Sequence, residues 1–481
     1  MQHSQTVPGD LCKATAKELT AAYAAGEVSP VEVAKAALER AEKAKAELNA
    51  FTVIDHDAAL SSARKSEERW RSGAPLSAVD GVPTTIKDIV LLHGYDVRFG
   101  SAVTEDVSNE PDAPSTQRLN AAGVVVLGLT NTPEFGWKAV TDSPKFGITR
   151  NPWDPSMTPG GSSGGASAAA AFGAGVLHLG TDGGGSIRIP ASFTGIVGHK
   201  PSFGLVPAYP ASAFGTVAHI GPMARTVEDV VAMLNAMSGK DTRDWNQYPG
   251  DRVAIELRPF DWKGKRIAYW SEPCVGGNDP EVAAAIRRTT EEFELAGAIV
   301  TEITLPMQDE LEEIFYRHWH VGAANRLAAI DEKDHDKLDR GFLEVAARGQ
   351  RYSAVDRIQA EISRSQFGYL MDELLVEHDL IISPTTPITA FEAGVNVPLG
   401  AGYSHWVEWS SYSFPINLSQ QPACSVPCGR STAGLPIGLQ IIAGRTDDAK
   451  VLSAARAYEQ MFPEHFLTPD GNWPMMAERL A

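Results

Sequence analysis

Hydrophobic and polar positions change their period near residue 72 of this 481-residue chain. Before that point the pattern is helical. Asp10 is placed to cap a first helix that ends near Gly26. Ser29-Pro30-Val31-Glu32 reads as a second helix start, with serine at the N-cap, proline in the first turn and glutamate closing a capping box. The run that follows puts Val33, Ala37, Leu38 and Ala41 on one face. A third helix is predicted over 57–71. From about residue 75 short apolar, β-branched runs alternate with helical stretches. The strand-like runs are the segment from GVPTTIKD (81–88) onward, VVVLG (124–128), RIAYW (266–270), AIVTEITL (298–305) and DLIISP (379–384). Helices are predicted between them, including 166–173 and 281–296. This alternation predicts an α/β fold with one mixed sheet flanked by helices. No internal repeat, low-complexity linker or domain boundary stands out.

Composition narrows the class. The hydrophobic fraction of 43% is ample for a large core. No apolar run approaches the ~20 residues that span a bilayer. The opening MQHSQTVPGD lacks the basic and apolar regions of a signal peptide. Four cysteines without a disulfide framework point to a reducing cytoplasm. The net charge of −18 disfavours nucleic acid and anionic membranes as partners. A small-molecule substrate is expected, and a homodimer stays open.

The chemistry concentrates in residues 160–190, GGSSGGASAAAAFGAGVLHLGTDGGGSIRIP. Twelve of the chain's 43 glycines lie between 160 and 198, a density that suggests tight turns or backbone brought close to a ligand. Backbone N–H groups in such a turn cradle negative charge, and a serine at the end of the cradle is a candidate nucleophile. Ser162 and Ser186 stand in the two serine clusters, and Lys87 stands upstream among apolar residues. Two overlapping G-x-S-x-G matches, centred on Ser162 and Ser163, would need a strand before them to form a nucleophile elbow. The preceding DPSMTP is a polar, two-proline loop, so that reading fails. No phosphate-loop signature accompanies the Gly183–Gly185 run.

GGSSGG and GTDGGGSIRIPASFTGIVGHKPSFG resemble the signature of the amidase signature family of serine hydrolases. IKD at Lys87, AGVVVLGLTNTPEF (122–135), GPMART (221–226) and LPIGLQIIAG (435–444) fit the same pattern in order. The resemblance implies one large domain over 1–481, with a helical N-terminal segment (1–72) packed on a catalytic core (75–445). It also implies a Ser–cisSer–Lys triad: Lys87 as base, Ser162 as bridge and Ser186 as nucleophile. Ser163, Asp182 and Arg188 match residues that brace the serine loops. The chemistry is coherent. A serine hydroxyl needs a positioned base, and lysine serves only when burial holds its amine neutral. The N–H groups of Gly183, Gly184, Gly185 and Ser186 are placed to hold an oxyanion. The expected reaction is hydrolysis of a linear amide C–N bond, without metal or cofactor.

Aromatic residues in the expected pocket segments are Phe135, Trp137, Tyr209, Phe214, Trp406, Trp409, Tyr412 and Phe414. They suggest an apolar acyl or leaving-group site and an aryl or alkyl amide. Carbamates, hydrazides and esters fit the same chemistry. The family also contains the glutaminase subunit of tRNA-dependent amidotransferases. There Ser410 stands where that subunit carries a glutamine-binding aspartate, which weakens that alternative. His199 and Gln420 are further departures, with leucine and glycine common at those places. A non-enzymatic scaffold is disfavoured because Lys87, Ser162 and Ser186 are all present. His318, His320 and His335, near Glu312 and Glu313, read as a mixed helix face rather than a metal site. Cys424 and Cys428 read as buried small hydrophobes, Cys12 and Cys274 stand alone, and the run 331–340 reads as a solvated surface.

Overall fold

The computed structural model describes residues 9–248, 250, 254–469 and 471–472. The expectation of a leaderless start therefore rests largely on residues outside the described ones. Three helices open the chain: Ala16–Ala25, Pro30–Leu48 and His56–Arg71. Ser29 and Glu32 form the expected capping box, and Val33, Ala37, Leu38 and Ala41 are all buried. The first helix differs from expectation at its start. Asp10 caps only a short turn, Leu11–Lys13, whereas Thr15 caps the helix itself in a box with Glu18. Both residues are good N-caps. The glutamate three places after Thr15 satisfies a second N–H group, and that decides where the helix begins.

Eleven strands form one sheet, numbered here in chain order: β1 Phe51–Ile54, β2 Pro83–Lys87, β3 Val125–Thr130, β4 Leu177–Asp182, β5 Val197–Lys200, β6 His219–Ala224, β7 Arg266–Trp270, β8 Ile299–Ile303, β9 Leu380–Pro384, β10 Ala423–Arg430 and β11 Pro436–Ile442. Their spatial order is β1-β3-β2-β4-β6-β5-β10-β11-β9-β7-β8. The pairs β3–β2, β2–β4, β9–β7 and β7–β8 are parallel and the rest antiparallel, so the sheet is mixed as expected. The N-terminal segment is more than a helical cover. Its strand β1 pairs antiparallel with β3, Phe51 opposite Thr130. Four residues are too short a run to reveal a strand by periodicity. At the other end, helix Asp448–Met461 buries Val451, Leu452, Ala454 and Ala455 against the core, which therefore extends past residue 445.

Helix Gly164–Phe172 has every residue through Ala171 buried, and helix Arg188–Thr194 is buried throughout. Small and apolar residues dominate the first on every side, as in a helix inside a large core, and the second buries its one charge, Arg188, against Asp182. No helix among the described residues is long and apolar enough to cross a membrane. Strands β2 and β4 run parallel side by side, so Lys87, Thr181 and Asp182 stand at the same carboxyl end of the sheet. That edge, beyond the carboxyl ends of parallel strands, is where open α/β sheets hold ligands.

Candidate active site

Lys87 closes β2 and is wholly buried. Its Nζ lies 2.7 Å from Ser162 Oγ, 2.9 Å from Ser163 Oγ and 2.9 Å from Thr181 Oγ1. Burial drives its pKa far below the ordinary lysine value, and the Asp182 charge opposes that shift only in part. The two serines sit in the turn that enters helix Gly164–Phe172, and the Gly161–Ser162 peptide is cis. Ser163 ties the two serine loops together: its N–H donates to the Ser186 carbonyl at 3.1 Å and its hydroxyl to the Thr181 carbonyl at 3.1 Å.

The second loop is shaped by Asp182 at the end of β4. Its carboxylate accepts from the N–H groups of Gly185 (2.8 Å) and Ile187 (3.2 Å), and from Asn417 Nδ2 (2.9 Å). Arg188 binds it through Nε (3.0 Å) and Nη2 (2.9 Å). The guanidinium also donates to Gln440 Oε1 and Asn417 Oδ1, each at 2.6 Å. Burial alone would raise the Asp182 pKa, but the Arg188 charge and hydrogen bonds outweigh it and carry the group below the usual carboxylate range. Both charges are fully buried, so each depends on the other. Arg188→Met is expected to cost about 3–5 kcal/mol in urea unfolding, because it strands the carboxylate. A loss below about 1 kcal/mol would mean that Asn417 and the loop amides hold Asp182 unaided.

One expected member leaves the oxyanion cradle: the Gly185 N–H is occupied by Asp182. The Gly183, Gly184 and Ser186 N–H groups have no acceptor among the described residues. The glycines have a packing reason as well. An added Cβ at Gly183 would stand 2.9 Å from Trp319 Cζ3, and one at Gly184 2.8 Å from Phe315 Cζ. The triplet is thus pressed against an aromatic wall. The Asp182 carbonyl accepts from Asn417 Nδ2 at 2.9 Å and lies 3.2 Å from His219 Nδ1, while the Gly184 carbonyl accepts from Ser413 Oγ at 2.6 Å. These bonds fix the direction of the peptides between them.

Ser162, Thr181, Gly183 and Ser186 line one cavity of about 630 Å³. No hydrogen bond joins Ser162 to Ser186 among the described residues; only the Lys87–Ser162 contact is formed. The sequence around this site matches the amidase family over residues 32–452. The chain belongs to the amidase signature family. It is a hydrolase acting on amide C–N bonds. This amidase is 36% identical to a glutamyl-tRNA(Gln) amidotransferase subunit of Myxococcus xanthus, over 93% of this chain and 96% of that protein. It is 33% identical to an acylamidase of Rhodococcus erythropolis, over 93% and 95% of the two chains. It superposes on a bacterial aryl acylamidase with TM-score 0.88 at 26% identity, covering 95% and 98%.

The pocket aromatics of the amidase divide. Phe135 and Phe214 line the cavity, and Tyr209, 43% exposed, stands at its rim. Trp137, Trp406, Trp409, Tyr412 and Phe414 do not line it. Trp409 stacks on Phe193 and donates to the Asn396 carbonyl. The Tyr412 hydroxyl donates to the Ser271 carbonyl at 2.6 Å. Trp406 and Phe414 pack on Phe315, behind Gly184. Trp137 is buried against Gly341. These five belong to one buried apolar cluster with Phe315 and Trp270, because the segment that bears most of them folds back onto the core instead of over the cavity. The sequence reading missed Thr181, Phe99, His219, Trp319 and Arg326. Thr181 adjoined Asp182 in the motif, whereas Trp319 and Arg326 lie on helix Leu311–Leu327, whose approach to the site is visible only in three dimensions.

The remaining singled-out groups lie apart. His199 bonds Asp448 at 3.0 Å and Gln420 bonds the Thr216 carbonyl at 3.1 Å; neither lines the cavity. His318 and His320 are buried, which pushes each pKa down to about 3, and His335 meets the Ile330 carbonyl. No three potential ligands gather into a metal-binding set among the described residues. Cys12, Cys424 and Cys428 are buried free thiols, and Cys274 is a half-buried one.

Proposed function

We propose that this amidase cleaves a carboxylic acid amide to acid and amine or ammonia through an acyl-enzyme on Ser186. Ser162 passes protons to Lys87. One observation carries this reading: Lys87 is buried among three hydroxyl groups and, among the described residues, ion-pairs with no carboxylate. Ser163 gives its hydrogen to the Thr181 carbonyl, so it accepts from Lys87. A neutral amine has two hydrogens. With one on Ser163 and one on Thr181, its lone pair faces the Ser162 hydroxyl.

The chemistry follows from that arrangement. Ser186 Oγ attacks the carbonyl carbon. Its proton goes to Ser162 as Ser162 gives its own to Lys87, and the Gly183, Gly184 and Ser186 N–H groups receive the oxyanion. The relay then runs backward and protonates the leaving nitrogen, the C–N bond breaks, and water repeats the cycle on the ester. The Ser186–Ser162 contact is of the kind that tightens only once substrate is bound.

Apolar lining by Ile89, Val90, Leu91, Phe99, Phe135 and Trp319 favours an aryl or alkyl amide. The similarity to glutamyl-tRNA(Gln) amidotransferase subunits favours a second reading, glutaminase activity within such an assembly. Ser410 weighs against it, since a glutamine ammonium would find no carboxylate there, and Ser410 does not line the cavity. A fluorophosphonate probe tests the first reading. Labelling is expected on Ser186 alone; an adduct on Ser162 or Ser163 would overturn the assignment, and no adduct would favour a non-enzymatic scaffold. A panel of amides, anilides, carbamates, hydrazides and esters ranks the substrates. Turnover of glutamine alone, and only with partner subunits, would establish the second reading.

A further inference from the structure

Among the described residues, the cavity holds one cation with nothing to bind. Arg326, near the end of helix Leu311–Leu327, lines the cavity together with Ser162 and Ser186. Its guanidinium carbon sits 4.5 Å from the ring centroid of Phe135 and 5.5 Å from that of Phe99. Both rings also line the cavity. Stacking of this kind holds the guanidinium plane while leaving its N–H edge free. No side-chain hydrogen bond or ion pair reaches Arg326 among the described residues. That is unusual in a chain with 60 acidic and 42 basic residues, whose buried Arg188 is paired with Asp182. Glu134 acts on it only through its field: its two oxygens are taken by the Ser101 hydroxyl (2.7 Å) and the Asp339 N–H (2.6 Å).

The acidic and imidazole groups in the lining are committed. Asp244 accepts from the N–H groups of Ala208 (2.9 Å) and Asn246 (2.8 Å). His219 is held between Lys200 and the carbonyls of Asp182 and Val217. Of the described lining residues, Arg326 alone offers unused charged donors to whatever fills an otherwise apolar space. The chain connects it closely to the reacting groups, since Phe135 precedes Gly136, where an added Cβ would lie 3.2 Å from Ser162 Oγ.

We infer that Arg326 is a specificity residue that receives a carboxylate, and that the preferred substrate is an amide carrying an anionic group away from the scissile bond. Planar guanidinium and carboxylate match edge to edge, so two parallel hydrogen bonds would also orient the ligand. This rests on the amidase reading of the same cavity. Glutamine shares the carboxylate, but its ammonium has no partner at Ser410. The expected class is therefore an N-acyl amino acid or aminobenzoate, or the monoamide of a dicarboxylic acid.

The test compares kcat/KM for two matched pairs in wild type, Arg326→Ala and Arg326→Lys. 4-Acetamidobenzoate against acetanilide places the carboxylate on the amine side, and glutaric acid monoanilide against butyranilide places it on the acyl side. Dividing acid by neutral rates, and then variant by wild type, removes intrinsic reactivity. In one pair the acid-to-neutral ratio should fall roughly ten- to hundred-fold in Arg326→Ala, mostly through KM, with part recovered in Arg326→Lys. The pair affected tells which side bears the charge. A ratio that stays constant in both pairs would overturn the inference, even where both rates drop together, because that is the mark of a packing role. If no amide is turned over at all, the amidase reading fails separately. Calorimetric binding of the two acids to Ser186→Ala protein, with and without Arg326→Ala, then decides the carboxylate site by itself: binding that is absent or independent of Arg326 would overturn it.

Discussion

Ser186→Ala is expected to lower kcat for any amide substrate by about 10⁴- to 10⁶-fold while leaving the fold intact. The expectation follows from the position of the hydroxyl. Ser186 is 6% exposed and faces the cavity, next to the N–H groups of Gly183 and Gly184. Its side chain has no structural hydrogen bond to lose among the described residues, so the substitution removes one oxygen and little packing. Its backbone carbonyl still accepts from Ser163, and the loop remains tied to Asp182 and Arg188. Activity and stability should therefore separate: an unchanged melting curve, substrate still bound, and neither burst nor acyl adduct by mass spectrometry. Residual catalysis above water would come from the oxyanion donors and from binding. Turnover within tenfold of wild type would remove Ser186 as nucleophile.

Lys87→Ala should cost nearly as much, and its pattern is more informative. In the proposed relay Lys87 works as the neutral amine, and burial lowers its pKa well below the ordinary value. Activity should therefore be present above the apparent pKa of the Lys87–Ser162–Ser186 network and fall as pH drops through it, giving an acidic limb in kcat/KM. Amides should suffer more than activated esters in Lys87→Ala, because the amide nitrogen must be protonated to leave. Lys87→Arg should not rescue, since a guanidinium stays charged. Stability supplies a second readout. Between the depressed folded pKa and the unfolded value near ~10.4, the unfolded chain holds a proton on Lys87 that the folded chain does not. That linkage makes wild-type stability rise with pH across the window. Lys87→Met lacks it, so its melting temperature relative to wild type should decline steadily as pH is raised toward 10. A difference independent of pH would mean that Lys87 is charged in the fold, and full amide turnover by Lys87→Ala would return it to a buried structural cation.

The sequence by itself carried the local terms. The capping box at Ser29 and Glu32, the strands at 266–270 and 380–384 and the helix at Pro280–Leu295 follow from spacing and chemistry within a few neighbouring residues. The Gly–Ser motifs likewise marked Ser162 and Ser186, and the IKD segment Lys87, as candidates, of which the structure brings Lys87 and Ser162 to 2.7 Å. What the tertiary structure alone decided depends on partners far apart in the chain. Strand β1 exists because β3, some 75 residues later, offers it an edge. Gly185 drops out of the expected oxyanion cradle because its N–H is taken by Asp182, which Arg188 and Asn417 hold in place. Five of the eight aromatics expected in the pocket are core instead, since sequence pattern marks an aromatic as buried without saying against what. Trp319 and Arg326 reach the cavity because helix Leu311–Leu327 packs over it. Burial and pairing are properties of non-local contacts, and it is those that lower the Lys87 pKa and leave Arg326 without a hydrogen-bond or ion-pair partner among the described residues.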